Sequence, residues 1–483
     1  MYNPLWHFVP LPPTRGQKGE LGVIMSENFE LKKFNTVNFL NLALGFLGLQ
    51  FAWQMRIILS GPVTENLGAT PWLYGLIWLA GPFTGMVVQP LIGALSDKTK
   101  SRFGRRRPYL LGGAIIASIA LWLFPNSGNI ANLFGQSVPA WTGLLIAAIF
   151  IWIIDACINI AQGPYRAIIP DVVPQEQHSL ANSWISLAIG LGSVVAAATA
   201  PFLKFAFHVQ MSYSAQFIMA ALAFTLAMTW TCITIKEKST LDKQEIQNNA
   251  QNDNQASFWQ SMKEFFLLSP EVGKICTMQF FTWIGMMCMM IFFTNFAIHT
   301  VFGVPDLTKL AADLQTQYLP VQASATNYSS ICFAIFNLIC FVIAIPIGIL
   351  AGKFGNKKIH IISLISMVFA YLIMGIFNSN PLVVGAGMAL SGIGWASVCA
   401  LPFAMLSKYI KPGTEGSVMG IFNIFIAGPQ VFVCTLVAWI IDKSVINNGD
   451  LLNYHYEYSF FIGAVCLLIA AMITAGIKEN KKE

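Results

Sequence analysis

The 483-residue chain is 55% hydrophobic and only 10% charged, with a net charge of +6 and a mean hydropathy of +0.62. Soluble globular proteins carry roughly 25% charged residues, so a water-facing surface of this size cannot be built here and a soluble enzyme is excluded. No polar stretch is long enough for a basic module that would bind nucleic acid, and the nine cysteines lie in apolar runs without metal-ligand spacing, as small core hydrophobes do. No metal or other cofactor is implied.

The first 33 residues are Pro-rich and contain a second methionine at Met25; they predict a cytoplasmic tail without fixed structure. A membrane-spanning helix needs about 20 apolar residues. Windows of that size fall near 34–59, 71–96, 108–125, 140–163, 180–203, 213–235, 272–297, 326–351, 359–377, 381–407, 417–441 and 458–477. Twelve such segments predict an all-α membrane protein with both termini on one face. That face receives 24 of the 28 basic residues, all but Arg56, Lys204, Lys309 and Lys443, which predicts cytoplasmic termini by the positive-inside rule.

The longest polar run begins at Lys236 and is rich in Asn and Gln, the composition of a linker. It divides the chain into a six-helix bundle over 34–235, a linker over 236–271, a second six-helix bundle over 272–477 and a short cytoplasmic tail over 478–483. Pro90-Leu-Ile-Gly93 closes the second segment, and Pro346-Ile-Gly348 closes the eighth at the equivalent place. Two repeated bundles and a linker are the layout of a rocking transporter with a site near the midplane. One chain supplies both facing halves, so a monomer in the lipid bilayer is expected rather than a channel assembled from subunits.

Polar groups within hydrocarbon are costly and mark function by default. Asp155 lies well inside the fourth segment, followed by Asn159, Gln162 and Arg166 at offsets of 4, 7 and 11. At about 100° per residue these positions share one helix face, with Asp155 and Arg166 about 16 Å apart along the axis. One acid and one base on such a stripe predict two poles of a cavity, with Asp155 as the group that gains and loses a proton. The alternative is a charge pair that only fastens helices, but buried pairs are weak stabilisers.

The first segment carries Asn38, Asn41, Gln50, Trp53 and Gln54. Amides both donate and accept, which suits a neutral polyhydroxylated ligand. Gln50 and Trp53 are expected to face the cavity, while interhelical hydrogen bonding accounts equally well for Asn38 and Asn41. Arg56, near the expected outer end, is read as a snorkelling side chain. In the second half Trp283, Trp395 and Asn337 are candidates for the same ligand. The loop after the second segment opens with Asp97, which opposes the dipole of its own helix C-terminus. The N-terminus of the eleventh segment, near Gly416 and Ser417, offers N–H groups to it, as a latch made only when the cytoplasmic side is closed.

Gly93-x-x-Ser-Asp97 followed by Arg102-Phe103-Gly104-Arg105-Arg106-Arg107-Pro108 resembles the signature loop of the major facilitator superfamily, in the form found in sucrose–proton symporters. Trp78-Leu79-Ala80-Gly81-Pro82, Val88-Gln89-Pro90, Gln162-Gly163-Pro164-Tyr165-Arg166-Ala167, Ala181-Asn182 and Pro429-Gln430 resemble the same group, within the glycoside–pentoside–hexuronide symporters. The resemblance covers about residues 34–477 and implies a major facilitator fold. It also implies a proton-binding carboxylate at Asp155, sugar recognition at Arg166, and a gating loop comprising Gly93, Asp97, Gly104, Arg105 and Arg106.

The plant carriers have a charged pair associated with the eighth helix; here 326–351 contains none, so a glycoside other than sucrose fits equally. Melibiose-type relatives use acids in the second helix for sodium, and none lies between Pro71 and Ser96, which favours protons. The expectation is a bacterial inner-membrane symporter of a neutral glycoside, a disaccharide such as sucrose or maltose, with a proton. The alternative is a carrier of another small solute, or an exporter.

Overall fold

A computed structural model describes residues 33–135, 138–237, 269–409, 415–448 and 451–478. Nearly all of the expected tail before Lys33, the linker from 238 to 268 and the last five residues lie outside them. Among the described residues, twelve helices are long and apolar enough to cross a membrane. In chain order they are α1 (Thr36–Glu65), α2 (Pro71–Lys98), α3 (Arg107–Asn132), α4 (Thr142–Val172), α5 (Gln175–Phe207) and α6 (Tyr213–Thr234). The second set is α7 (Pro270–Val301), α8 (Ala312–Phe354), α9 (Asn356–Ile376), α10 (Pro381–Tyr409), α11 (Ile421–Lys443) and α12 (Tyr458–Ala475).

Local chemistry sets several of the starts. Asn35, Thr70, Ser212, Ser269 and Asn380 each accept a backbone N–H of the helix that follows, satisfying an otherwise orphaned donor. Pro71, Pro270 and Pro381 then occupy the first helical position, where a missing N–H costs nothing. Within α2 the helix breaks at Leu79. Pro82 cannot donate to the Trp78 carbonyl one turn back, and the break leaves Trp78 and Gly81 facing the interior.

Helix α1 packs on α5 and α6, α4 on α2 and α3, and α3 on α6. In the other set α12 packs on α7 and α9, and α10 packs on α8 and α9. Between the sets, α2 meets α11, α5 meets α8 and α1 meets α7. The first two contacts exchange under a six-helix repeat, as the Pro90 and Pro346 motifs anticipate.

Three features differ from the sequence expectations. Helix α1 continues through Pro62 to Glu65 instead of ending near 59. Helix α8 begins at Ala312 rather than near 326 and runs through Pro320, so Gln322 and Asp313 lie within it rather than before it. A two-stranded antiparallel hairpin, β1 (Val445–Asn448) and β2 (Leu451–Tyr454), pairs Val445 with Tyr454 between α11 and α12.

The α1–α6 contact is close because Gly48 has no side chain. A Cβ there would lie 2.7 Å from the Ala223 carbonyl oxygen and 2.7 Å from the Ala227 Cβ. Gly48→Val should therefore destabilise the first helix set by about 1–3 kcal/mol, the usual penalty of overpacking. A lowered midpoint of thermal unfolding in detergent would register it.

Candidate transport site

The stripe on α4 turns inward. Asp155 is fully buried and accepts a hydrogen bond from Arg56 of α1, with Nη2 and Oδ2 2.5 Å apart. Both side chains are completely shielded from solvent. Arg56 therefore does not snorkel: the extension of α1 to Glu65 places it about 14 Å inside the helix end, at 1.5 Å per residue. Its guanidinium lies 3.9 Å from the Trp78 ring centroid and 5.3 Å from that of Trp53. Stacking on indole faces is favourable for a cation withdrawn from water. Trp53, half-buried, is thus part of the Arg56 enclosure.

The pair is only partly satisfied. Among the described residues, Asp155 Oδ1 and Arg56 Nε and Nη1 have no partner, which is expensive in a low dielectric and leaves donors and an acceptor for another group. A Cβ at Gly81 would stand 3.6 Å from Asp155 Oδ2, so the break in α2 leaves room beside the carboxylate. Asn159, one turn along, donates to Thr84 Oγ1 at 3.0 Å and to the Asp155 carbonyl at 2.9 Å. Its amide N–H groups hold α2 against α4.

Arg166 stands toward the face of the basic loops, half-buried, with Nε unpartnered and its guanidinium 5.9 Å from the Phe46 ring. Gln162 is half-buried on the same face, and Gln50 backs onto Gly192 of α5. In the second half Trp283 and Trp395 meet edge to face at 5.7 Å, Trp395 stacks beside Phe336 at 6.4 Å, and Trp283 Nε1 has no partner. Asn337 of α8 donates to Gln54 of α1 at 3.3 Å; it joins the halves. Asn41 accepts from Trp230 at 3.0 Å, an interhelical bond.

The two ends of the site are unequal. At the face opposite the basic loops, Gln322 donates to Asn66 at 3.1 Å, Asn327 to Gln210 at 3.1 Å, and Tyr213 and Thr326 share a bond of 3.0 Å. Toward the basic face, positions where a Cβ would stand at Gly93 and its repeat counterpart Gly348 have no neighbour within 4 Å. Among the described residues, the Gln322, Asn327 and Tyr213 hydrogen bonds hold the halves together at the face opposite the basic loops.

In the basic loop Arg106 donates to Asp97, to Ser96 Oγ at 2.5 Å and to Asp171 at 3.3 Å, and Arg105 Nε donates to Asp171 at 3.0 Å. Asp97 is thus held within its own half by Arg106; the side chains around Gly416 and Ser417 lie outside the described residues. Gly104 adopts φ +89°, and a Cβ there would collide with Glu237. Glu237 accepts the Arg106 backbone N–H at 2.9 Å, while burial pushes its carboxyl above the usual range.

Breaking a buried ion pair by removing one partner typically costs 3–5 kcal/mol, because the other charge is stranded. Arg56→Gln should lower thermal stability on that scale, and the double variant Arg56→Gln/Asp155→Asn should recover most of it. Unfolding midpoints of the two single variants and the double variant form the check.

Comparison with known proteins is consistent with this geometry. A family model described as Major Facilitator Superfamily matches residues 40–427 and again 308–482. A sucrose transport protein of rice (Oryza sativa subsp. indica) is 26% identical over 425 residues, covering 80% of this chain and 83% of the relative. A general alpha-glucoside permease of Schizosaccharomyces pombe is 22% identical over 513 residues, covering 89% and 91%. Among solved structures, a D-xylose–proton symporter superposes with a TM-score of 0.61 at 14% identity, covering 93% of this chain and 99% of that one.

Proposed function

The chain belongs to the Major Facilitator Superfamily, and on that premise we propose that it is a proton-coupled symporter of a neutral glycoside working by alternating access. The observation that carries the reading is the Arg56–Asp155 pair, sealed from solvent between α1 and α4. The similarity to sucrose and alpha-glucoside carriers supports a glycoside as substrate. The proposed setting is a bacterial inner membrane, with the termini and the basic loops in the cytoplasm and the site open to that side.

In this reading the structure corresponds to the empty carrier after proton release. An isolated carboxylate or guanidinium is strongly disfavoured in a dry site, but the two together are neutral. The empty carrier can then reorient without moving net charge against a membrane potential worth about 2.3 kcal/mol per charge per 100 mV. When Asp155 takes a proton, its hold on Arg56 is lost. The guanidinium donors, already short of partners, become free for sugar hydroxyls. Protonation and sugar binding then favour one another, which is the coupling a symporter requires.

Arg166 supplies a second set of donors nearer the open face. Its planar fork can meet several hydroxyls at once, and Lys cannot reproduce that geometry. The Trp283–Trp395 pair provides apolar faces for the C–H surfaces of a sugar ring from the second half. In the gating loop, Arg106 holds Asp97 in the open state while Arg105 bonds Asp171 beside it and Gly104 makes room for Glu237, and Asp97 and Gly93 meet the second half on closure.

The test is made in proteoliposomes with a panel of radiolabelled glycosides and an imposed pH gradient. Asp155→Asn, which mimics the protonated acid, should lose uphill accumulation yet keep sugar counterflow, where no net proton moves. PH-driven accumulation that survives in this variant would place the proton site elsewhere. Arg166→Lys should weaken equilibrium sugar binding by about tenfold or more, the scale of a lost charged hydrogen bond, with insertion and folding unchanged.

A further inference from the structure

At the face opposite the basic loops, the Glu65 carboxylate at the end of α1 gathers three side chains from the second half. Asn295 donates to Oε1 at 2.9 Å, the Tyr456 hydroxyl donates to Oε1 at 2.7 Å, and His299 Nε2 lies 2.8 Å from Oε2. The other ring nitrogen of His299 lies 2.7 Å from the Val304 carbonyl. A carbonyl and a carboxylate both only accept, so both ring nitrogens carry protons: His299 is an imidazolium that donates to Val304 and to Glu65. Tyr456 stacks on the imidazole at 5.2 Å between centroids.

The knot is buried: His299 is 5% exposed by side chain and Glu65 13%. It also permits a close approach of the halves. A Cβ at Gly61 would stand 2.0 Å from Asn295 Oδ1, and one at Gly75 would stand 2.3 Å from the Cys434 carbonyl oxygen of α11. The donors come from α7 and from the segment before α12, while the acceptor comes from α1. Parting the halves at this face must break all three contacts together.

We propose that Glu65 is the locking residue of this face: one carboxylate that binds three second-half donors in the closed state and surrenders them when the carrier opens to that side. The lock is separate from the Arg56–Asp155 pair in both place and partners. It acts on the position of the conformational equilibrium and not on the sugar. A hydrogen bond to a charged group is worth about 1.5–3 kcal/mol, so losing the carboxylate shifts a two-state equilibrium by about tenfold or more.

Native Cys434 is the reporter, since it is fully buried where α11 closes on Gly75 of α2. The full-length protein is reconstituted into vesicles, exposed to a membrane-impermeant maleimide from the locked face, and the modified peptide is quantified by mass spectrometry. Glu65→Ala should speed Cys434 labelling by about tenfold or more, on the hydrogen-bond scale above. The mild variant Tyr456→Phe, which removes only one hydroxyl, should give a smaller increase in the same direction. Labelling at the wild-type rate in Glu65→Ala and Tyr456→Phe, with monodisperse protein in both, would overturn the proposal. If Glu65→Ala does not fold, Tyr456→Phe alone decides in the same way. The readout uses neither sugar nor a pH gradient, so it stands or falls independently of the transport reading.

Discussion

Arg56 and Asp155 cannot each exist alone where they are. Two charges withdrawn from water are tolerable only because they face each other at 2.5 Å with both side chains shielded, and each makes the other permissible. This requirement ties α1 to α4. It places Trp78 under the guanidinium at 3.9 Å, and makes the break at Leu79 in α2 part of the site rather than an irregularity. It also leaves the pair poised: with Asp155 Oδ1 and two guanidinium nitrogens lacking partners among the described residues, the site is neutral but incompletely satisfied.

The asymmetry across the membrane follows from where the halves can hold one another. Glycines at 61 and 75 bring backbones close at one face, and amide, hydroxyl and carboxylate groups join the halves there. Near the other face a Cβ at Gly93 or Gly348 would meet no described atom within 4 Å, and Arg106 is engaged with Asp97, Ser96 and Asp171 of its own half. A closed contact that is polar and made of a few directional bonds can be broken and remade; an apolar seal of the same area would resist opening.

Much of the candidate site was legible in the chain because the cost of polar groups in hydrocarbon singles them out. Asp155 stood out as the one acid deep in an apolar segment, and the stripe of Asn159, Gln162 and Arg166 followed from helical spacing. Arg56 was misread for an identifiable reason. Apolar windows ended α1 near 59, which left Arg56 within reach of water; the helix in fact continues through Pro62 to Glu65, as membrane helices can. The same extension turned Glu65 from an apparent loop residue into a partner of α7. The start of α8 at Ala312 was hidden by Pro320 and a run of polar residues, and no periodicity announces a hairpin as short as 445–454.

The sequence by itself determined the twelve spans, their order and the segregation of basic loops to one face. Hydropathy and charge act on each segment independently and so can be read one window at a time. It also determined that Asp155 and Arg166 share a helix face, which is a property of one helix. Only the tertiary structure decided that Asp155 faces Arg56, that Asn337 reaches Gln54, and that Glu65 gathers Asn295, His299 and Tyr456. These pairings join residues distant in the chain. They depend on how helices rotate and cross when packed, and in lipid that is set by close contact of small residues and a few interhelical hydrogen bonds, none of which leaves a periodic trace in the chain.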